Sequence, residues 1–375
     1  MTSIQPVFAP SSGAPSASVA TPLTTEPYPI ALPRPDADAF AAVLTRGAYM
    51  RLTQFGVIDV SGVDAATFLH SQLTSDIQHL DTASARVSGY CSPKGRLLAS
   101  FLVWRSDEAT RLLVSQDVQA ASAKRLSMFV LRAKARLTDI SGSVAVIGLA
   151  GDVRQALAGV FEVVPERSYA KVDAPAGTLI RLPDAAGRER YLWLGPTALV
   201  EAHLAGEPAA TVNASASAHA TAALPWPLPE VSPVIWDWLE IQAGEPRITL
   251  PVVEQFVPQM VNFDVLGGVD FRKGCYPGQE VVARSQYRGT IKRRMSLAHV
   301  AADAAACPGA ELFHSADPGQ PCGQIVSAAP SPNGGHDFLA EIKLAALDSG
   351  SIHLGAPDGA AVTVLTLPYS IPTEV

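Results

Sequence analysis

One stretch of this 375-residue chain differs in kind from the rest: Gly267-Gly268-Val269-Asp270-Phe271-Arg272-Lys273-Gly274-Cys275-Tyr276-Pro277-Gly278-Gln279-Glu280, running on into Val281-Val282-Ala283-Arg284. Four glycines and a proline frame one cysteine. Glycine at this density lets the backbone adopt unusual dihedrals or approach a ligand closely. Pro277 to Ala283 reads as the opening of a helix, with Gln279 and Glu280 well placed against its N-terminal dipole. Cys275 would then lie just before a helix N-terminus, with Lys273 two residues away. Both influences favour thiolate, the form that acts as nucleophile, redox group or metal ligand. The plain alternative is a small buried apolar cysteine in a tight loop.

Two flanking segments could complete such a site. Upstream run Glu240 to Arg247 and then Glu254 to Asp264, where carboxylates stand near apolar and aromatic residues. A carboxylate in that setting can accept two parallel hydrogen bonds from an amidine-like edge such as that of a pterin; a solvated surface glutamate is the commoner case. Downstream, Arg284, Arg288, Lys292, Arg293 and Arg294 put five cations within eleven residues, interleaved with Tyr287. They suit a polyglutamate tail or RNA phosphates, or simply an exposed strand entry.

Composition limits what must position these groups. Only 17% of residues are charged, 48% are hydrophobic and the net charge is −7, so the chain has material for two or three packed units and no overall electrostatic case for nucleic acid or anionic membrane. Eight of the 30 prolines fall in the first 36 residues, a Ser/Thr/Ala/Pro segment that reads as a disordered tail over residues 1–35. It has neither the early positive charge of a secretory signal nor the arginines of a transit peptide, and no apolar run reaches membrane-spanning length; a soluble, cytoplasmic protein is expected. Cys91, Cys275, Cys307 and Cys322 form no CxxC pair, which disfavours a disulfide framework or structural zinc. Cys307 and Cys322 are expected to be packing residues.

Asp36 reads as an N-cap, Met50 to Val60 as one strand, and Ser61-Gly62-Val63-Asp64 as a capping box before a helix over Ala65 to Leu73. His70 and His79 are not at ligand spacing. Val87–Cys91 and Arg96–Arg105 flank Pro93-Lys94-Gly95 as a hairpin. A helix follows from Asp117, and the cations Lys124, Arg125, Arg132, Lys134 and Arg136 on and after it read as a solvated face rather than a polyanion site, given the acidic net charge. Residues 205–230 look like a connecting loop, Pro233 to Ala243 like a helix closed by Gly244, and residues from Lys292 onward like a small all-β domain.

The string Lys273-Gly274-Cys275-Tyr276-x-Gly278-Gln279-Glu280 resembles the signature of the YgfZ-type folate-binding proteins, relatives of the glycine-cleavage T-protein. Phe68 to Asp76 resembles that family's early FLQGQxTxD segment, with His70 and Ser71 in place of its glutamine and glycine. Cys91-Ser92-Pro93-Lys94-Gly95-Arg96 resembles its CxPKGR hairpin. Phe256 to Gln259, Ala283-Arg284 with Tyr287-Arg288-Gly289, and Leu367 to Ser370 follow in order, so the likeness covers Asp36 to Ser370.

The resemblance implies an α+β fold of the aminomethyltransferase type: two interleaved α+β subdomains over residues 36–290 and a C-terminal β-barrel over 291–375, around a central cavity. It implies tetrahydrofolate binding, with Glu254 as the pterin-binding glutamate and Tyr276, Gly274, Gly278, Gln279, Glu280 and Arg284 near the ligand, and no permanently bound metal. It further implies a role in assembling or repairing 4Fe-4S proteins, including tRNA-thiolating radical enzymes, through Cys275 and Lys273. Aminomethyltransferases carry an acidic residue on the strand after the Gly-containing turn, whereas Leu97 to Leu102 has none, which disfavours transferase chemistry. A folate-dependent one-carbon transferase and a non-catalytic tRNA- or protein-binding scaffold stand as the alternatives.

Overall fold

The computed structural model describes residues 34–106, 109–204, 226–287, 291–301 and 306–372. The expected N-terminal tail lies almost entirely outside the described residues, as do Arg288 and most of the connecting loop (205–225).

The chain opens with α1 (Ala37–Thr45), whose first turn is capped by Asp36 Oδ1 accepting from Ala39 N–H at 2.8 Å. It continues through β1 (Ala48–Arg51), β2 (Phe55–Ser61), α2 (Ala65–Gln72), the hairpin β3 (Ala85–Cys91) and β4 (Leu97–Arg105), then β5 (Ala109–Ser115), α3 (Gln116–Met128) and β6 (Arg136–Asp139). Next come β7 (Val144–Ala150), α4 (Arg154–Ala158), β8 (Lys171–Ala174), β9 (Gly177–Ala185), β10 (Arg188–Pro196) and α5 (Thr197–Leu204). After α6 (Val234–Gln242) and a long irregular stretch, α7 (Gln279–Tyr287) leads into the last six strands, β11 (Arg293–Val300), β12 (Glu311–His314), β13 (Asp317–Pro330), β14 (His336–Lys343), β15 (Ile352–Leu354) and β16 (Ala360–Leu365).

These strands make two five-stranded sheets, ordered β1-β7-β10-β9-β8 and β3-β4-β5-β2-β6, and a closed barrel β11-β14-β13-β12-β15-β16. The two sheets interleave in sequence, because β1 belongs to the first while β2 to β6 build the second. The stretch from Met50 to Val60 is therefore two strands, contrary to the single one expected: the chain turns at Thr53-Gln54 and crosses between sheets. Apolar residues on both sides of that turn hide it, since both halves enter buried cores. The expected capping box is also absent. The Asp64 carboxylate makes no bond to its own helix and takes the backbone N–H of Lys134 at 2.7 Å.

α6 joins all three units. Trp236 lies against Gly148 of β7, where any side chain would collide with its ring. On its other side, Trp238 Nε1 and Gln242 Nε2 donate to Asp337 Oδ2 on the barrel strand β14, at 2.8 and 2.9 Å. Full burial of Ile235, Trp236, Leu239 and Ile241 anchors the helix on the order of several kcal/mol.

Candidate functional site

A partly open cavity of about 80 Å³ lies between the two sheets and α6. Its walls are apolar, with Val87 from β3, Leu102 from β4, Leu113 from β5, Leu192 from β10, Trp236 and Phe263 among them. Against this lining stand three charged side chains, Glu240, Glu245 and Arg247. Glu240 projects from α6 and its Oε2 lies 3.0 Å from Arg247 Nη1. Burial pushes the Glu240 carboxyl up to about 7, against the downward pull of Arg247. Glu245 accepts from Tyr169 Oη at 2.8 Å and is paired with the fully buried guanidinium of Arg190. Gly244, at φ +67°, ends α6 and turns the chain so that Glu240 and Glu245 reach the same space.

β4 contributes Ser100, Phe101 and Leu102 to the cavity, and Ser100 Oγ accepts the backbone N–H of Ile248 at 2.9 Å. No carboxylate comes from that strand, as its sequence dictates.

The glycine-framed cysteine segment is elsewhere. None of Cys275, Lys273, Gly274, Tyr276, Gly278, Gln279, Glu280, Arg284 and Glu254 lines the cavity. Glu254 is exposed at φ +61°, and its backbone N–H donates to Leu97 O at 2.8 Å, so the loop runs alongside the start of β4 with the carboxylate turned to solvent. The side chains that meet the cavity are Glu240 and Glu245. The Glu240-to-Arg247 string carried a signal for this in its apolar helical pattern, which puts Glu240 on the buried helix, but sequence spacing alone did not distinguish it from Glu254.

The cysteine loop instead packs on the turn of the β3–β4 hairpin and on the end of α2. Lys273 Nζ donates to the carbonyls of His70 and of Leu73, the latter at 2.8 Å, and sits 4.8 Å from the centre of the Tyr276 ring. Burial brings Lys273 down to about 8, opposed by Asp76, Asp270 and Cys275. Its ammonium therefore caps the C-terminal carbonyls of α2 rather than facing the thiol alone. Tyr276 is buried, and burial, with Cys91 nearby, raises its phenol. Cys275 itself is exposed, four residues ahead of α7, which begins two residues later than the helix expected from Pro277. Glu280 and Arg284 pair with each other on the outer face of α7 at 2.8 Å.

Beside this loop the sequence concealed a cluster. His70 Nδ1 and His79 Nδ1 approach the two oxygens of Asp76 at 3.0 and 2.8 Å, and a Cβ at Gly274 would lie 3.7 Å from His70 Nε2. Burial and then Lys273 hold His70 below the ordinary imidazole range despite Asp76. No group of His, Cys, Asp and Glu suited to holding a metal occurs among the described residues. Cys91 is buried and pushed up to about 12 by burial, and Cys322 is buried in the barrel; Cys307 is exposed. Cys307 is thus not the packing residue expected.

The downstream cations are largely spoken for. Arg294 makes a two-pronged pair with Asp264 at 2.6 and 2.9 Å, both side chains buried, and Arg293 Nη1 meets both oxygens of Glu341 at 2.8 and 2.7 Å. Only Lys292 of the described members is exposed without a carboxylate partner.

Among the described residues no helix is long and apolar enough to cross a membrane. Comparison with known proteins places this architecture. Residues 34–170 match the GCVT N-terminal domain. The glycine cleavage system aminomethyltransferase T from Bartonella henselae superposes with a TM-score of 0.68 over 88% of each chain at 15% identity, which establishes the shared fold. The tRNA-modifying protein YgfZ of Edwardsiella ictaluri is 31% identical over 86% of this chain and 92% of its own length. Those of Photorhabdus laumondii and Serratia proteamaculans are 29% and 32% identical, over 86% and 65% of this chain and 92% and 68% of their own lengths. The likeness in sequence runs through both interleaved sheets and the barrel, and on that extent this chain belongs to the YgfZ family.

Proposed function

We propose that this chain is a tetrahydrofolate-binding accessory factor in tRNA modification, supporting iron-sulfur enzymes of that process, with the folate in the central cavity and Cys275 as its working thiol. The observation that carries the reading is the Glu240–Arg247 pair inside an apolar cavity. A largely buried, planar carboxylate flanked by aromatic walls suits the donor edge of a pterin, which offers two parallel N–H groups to one acceptor pair. Glu240 would orient that edge, Arg247 would hold the carboxylate in place, and Phe101, Trp236 and Phe263 would exclude water from the ring faces. Bound folate would supply the one-carbon chemistry. The absence of a carboxylate on β4 favours binding over aminomethyl transfer.

Cys275 supports the second half of the reading by its exposure. A thiol held on a fixed loop at the surface is accessible to a client protein, to a persulfide or to a cluster in transit, while one cysteine falls short of the four that hold a stable cluster. The test is calorimetric titration of tetrahydrofolate. Glu240→Gln should weaken binding at least tenfold and Glu254→Ala should leave it within twofold; equal effects of the two would sink the assignment. Restoration of a tRNA-thiolating activity in a null strain by wild type, with loss in Cys275→Ala, tests the thiol.

A further inference from the structure

The two basic groups of the sequence differ in how the structure engages them. Of the group after Cys275, Arg284, Arg293 and Arg294 are committed to Glu280, Glu341 and Asp264. The group on and after α3 is not: among the described residues none of Lys124, Arg132, Lys134 and Arg136 has a carboxylate partner, and all four are exposed. They surround an apolar tip. Met128 and Phe129 close α3, exposed by 59% and 43%, and Leu131 follows at 85% exposure and φ +45°, a left-handed backbone that costs a branched residue energy. The turn at Val63, 84% exposed, is fastened to the same place, because Asp64 holds the backbone N–H of Lys134 at 2.7 Å while its own N–H meets Lys134 O at 3.3 Å. Arg125 stands 6.0 Å from the centre of the Phe129 ring.

Exposed cations without an ion-pair partner gain little for the fold, and an exposed aromatic beside them buries no apolar area. Cations that follow a backbone of phosphates, with an aromatic face on which an unpaired base can stack, are the recurring elements of single-stranded RNA recognition. Resting on the reading of this protein as a factor in tRNA modification, we infer that the tip of α3 with the edge strand β6 is its tRNA-docking surface: Lys124, Arg132, Lys134 and Arg136 contact phosphates, and Phe129 stacks on a base of an unpaired loop. The local charge complements RNA even though the whole chain is acidic, so binding is confined to this face.

The probe is an unmodified tRNA transcript, followed by fluorescence anisotropy from 50 to 200 mM KCl. Wild-type protein should bind with a salt slope of about −3 to −4, near −0.7 to −0.9 per phosphate contacted. Arg132→Gln with Lys134→Gln should weaken binding at 50 mM KCl by tenfold or more and flatten the slope by about 1.5. Phe129→Ala should weaken binding at least fivefold with the slope kept. The charge-matched pair Arg284→Gln with Lys292→Gln should stay within twofold of wild type. Unchanged thermal unfolding and unchanged tetrahydrofolate titration in these variants separate this surface from the folate reading. Wild-type protein that does not bind, or equal losses in both charge-matched pairs, would overturn the inference. So would variants that associate through a bared β6 edge while keeping tRNA affinity, or that fail to rescue a null strain while binding tRNA normally, the latter assigning the tip to a protein partner.

Discussion

Gly95 and Gly278 meet face to face. A Cβ on Gly278 would lie 2.6 Å from Gly95 Cα and collide with the Ser92 carbonyl, and one on Gly95 would lie 2.8 Å from Val281 Cβ. Both residues have positive φ, +69° and +79°. The contact presses the turn of the β3–β4 hairpin against the loop after Cys275, just ahead of β4, the strand that continues into the cavity wall.

Gly278→Ala should therefore destabilise the protein by about 2 kcal/mol or more, from left-handed strain and from steric overlap with backbone that cannot move aside. Urea unfolding measures it. Ala at Gly187, whose φ is +70° with nothing within 4 Å of the added methyl, should cost only the backbone strain, about 1 kcal/mol, and serves as the comparison.

The thiols should divide two and two. In native protein Cys275 and Cys307 should react with a soluble disulfide reagent in the fast phase, and Cys91 and Cys322 only on unfolding. Counting released chromophore with and without denaturant checks this; a fast phase of three or more thiols would contradict the burial of Cys91 and Cys322.

If the cavity takes tetrahydrofolate as proposed, Glu240 should make its binding depend on pH. The carboxyl sits at about 7 in the folded protein, above its ordinary value near 4.5, so the folded state holds a proton that the unfolded chain has released, and this group's contribution to stability falls as pH rises from about 4.5 to 7. The ligand's N–H edge needs the ionised form. Affinity should thus rise about tenfold from pH 6 to a plateau above pH 7.5, with a proton released on binding at pH 6.5, and Glu240→Gln should abolish both trends. Titrations in buffers of different ionisation heat measure the proton directly.

Lys273 gives the opposite slope. Its amine at about 8, below the ordinary lysine value, means the folded state sheds its proton first, so its contribution to stability rises as pH climbs from about 8 to 10.5. Burial raises the Tyr49, Tyr169, Tyr191, Tyr276 and Tyr369 phenols above their ordinary value, which gives the opposite slope once the unfolded chain ionises near 10, so the quantity to follow is the difference between wild type and Lys273→Met, which should widen in favour of wild type over that interval.

Arg294→Met leaves Asp264 buried without its partner and should cost about 3–5 kcal/mol. Thermal unfolding checks it, and a neutral result would show that Arg294 is free for a ligand after all.

Much of the molecule was legible before any coordinates. The hairpin around Pro93-Lys94-Gly95, the helices beginning near Ala65, Asp117 and Val234, the barrel after Lys292 and the distinct character of the Cys275 segment all rest on local periodicity and turn chemistry, which short-range sequence encodes. What sequence alone could not decide was which charges meet. Glu240 and Glu254 are equivalent as letters, and only the packing of α6 between two interleaved sheets buries the first while a left-handed turn exposes the second. Likewise the cations after Cys275 and those after α3 look alike in a row. Carboxylates brought from 30 to 48 residues away quench Arg294 and Arg293, and no described carboxylate reaches Lys124, Arg132, Lys134 or Arg136, because ion pairing depends on distance in space and not along the chain.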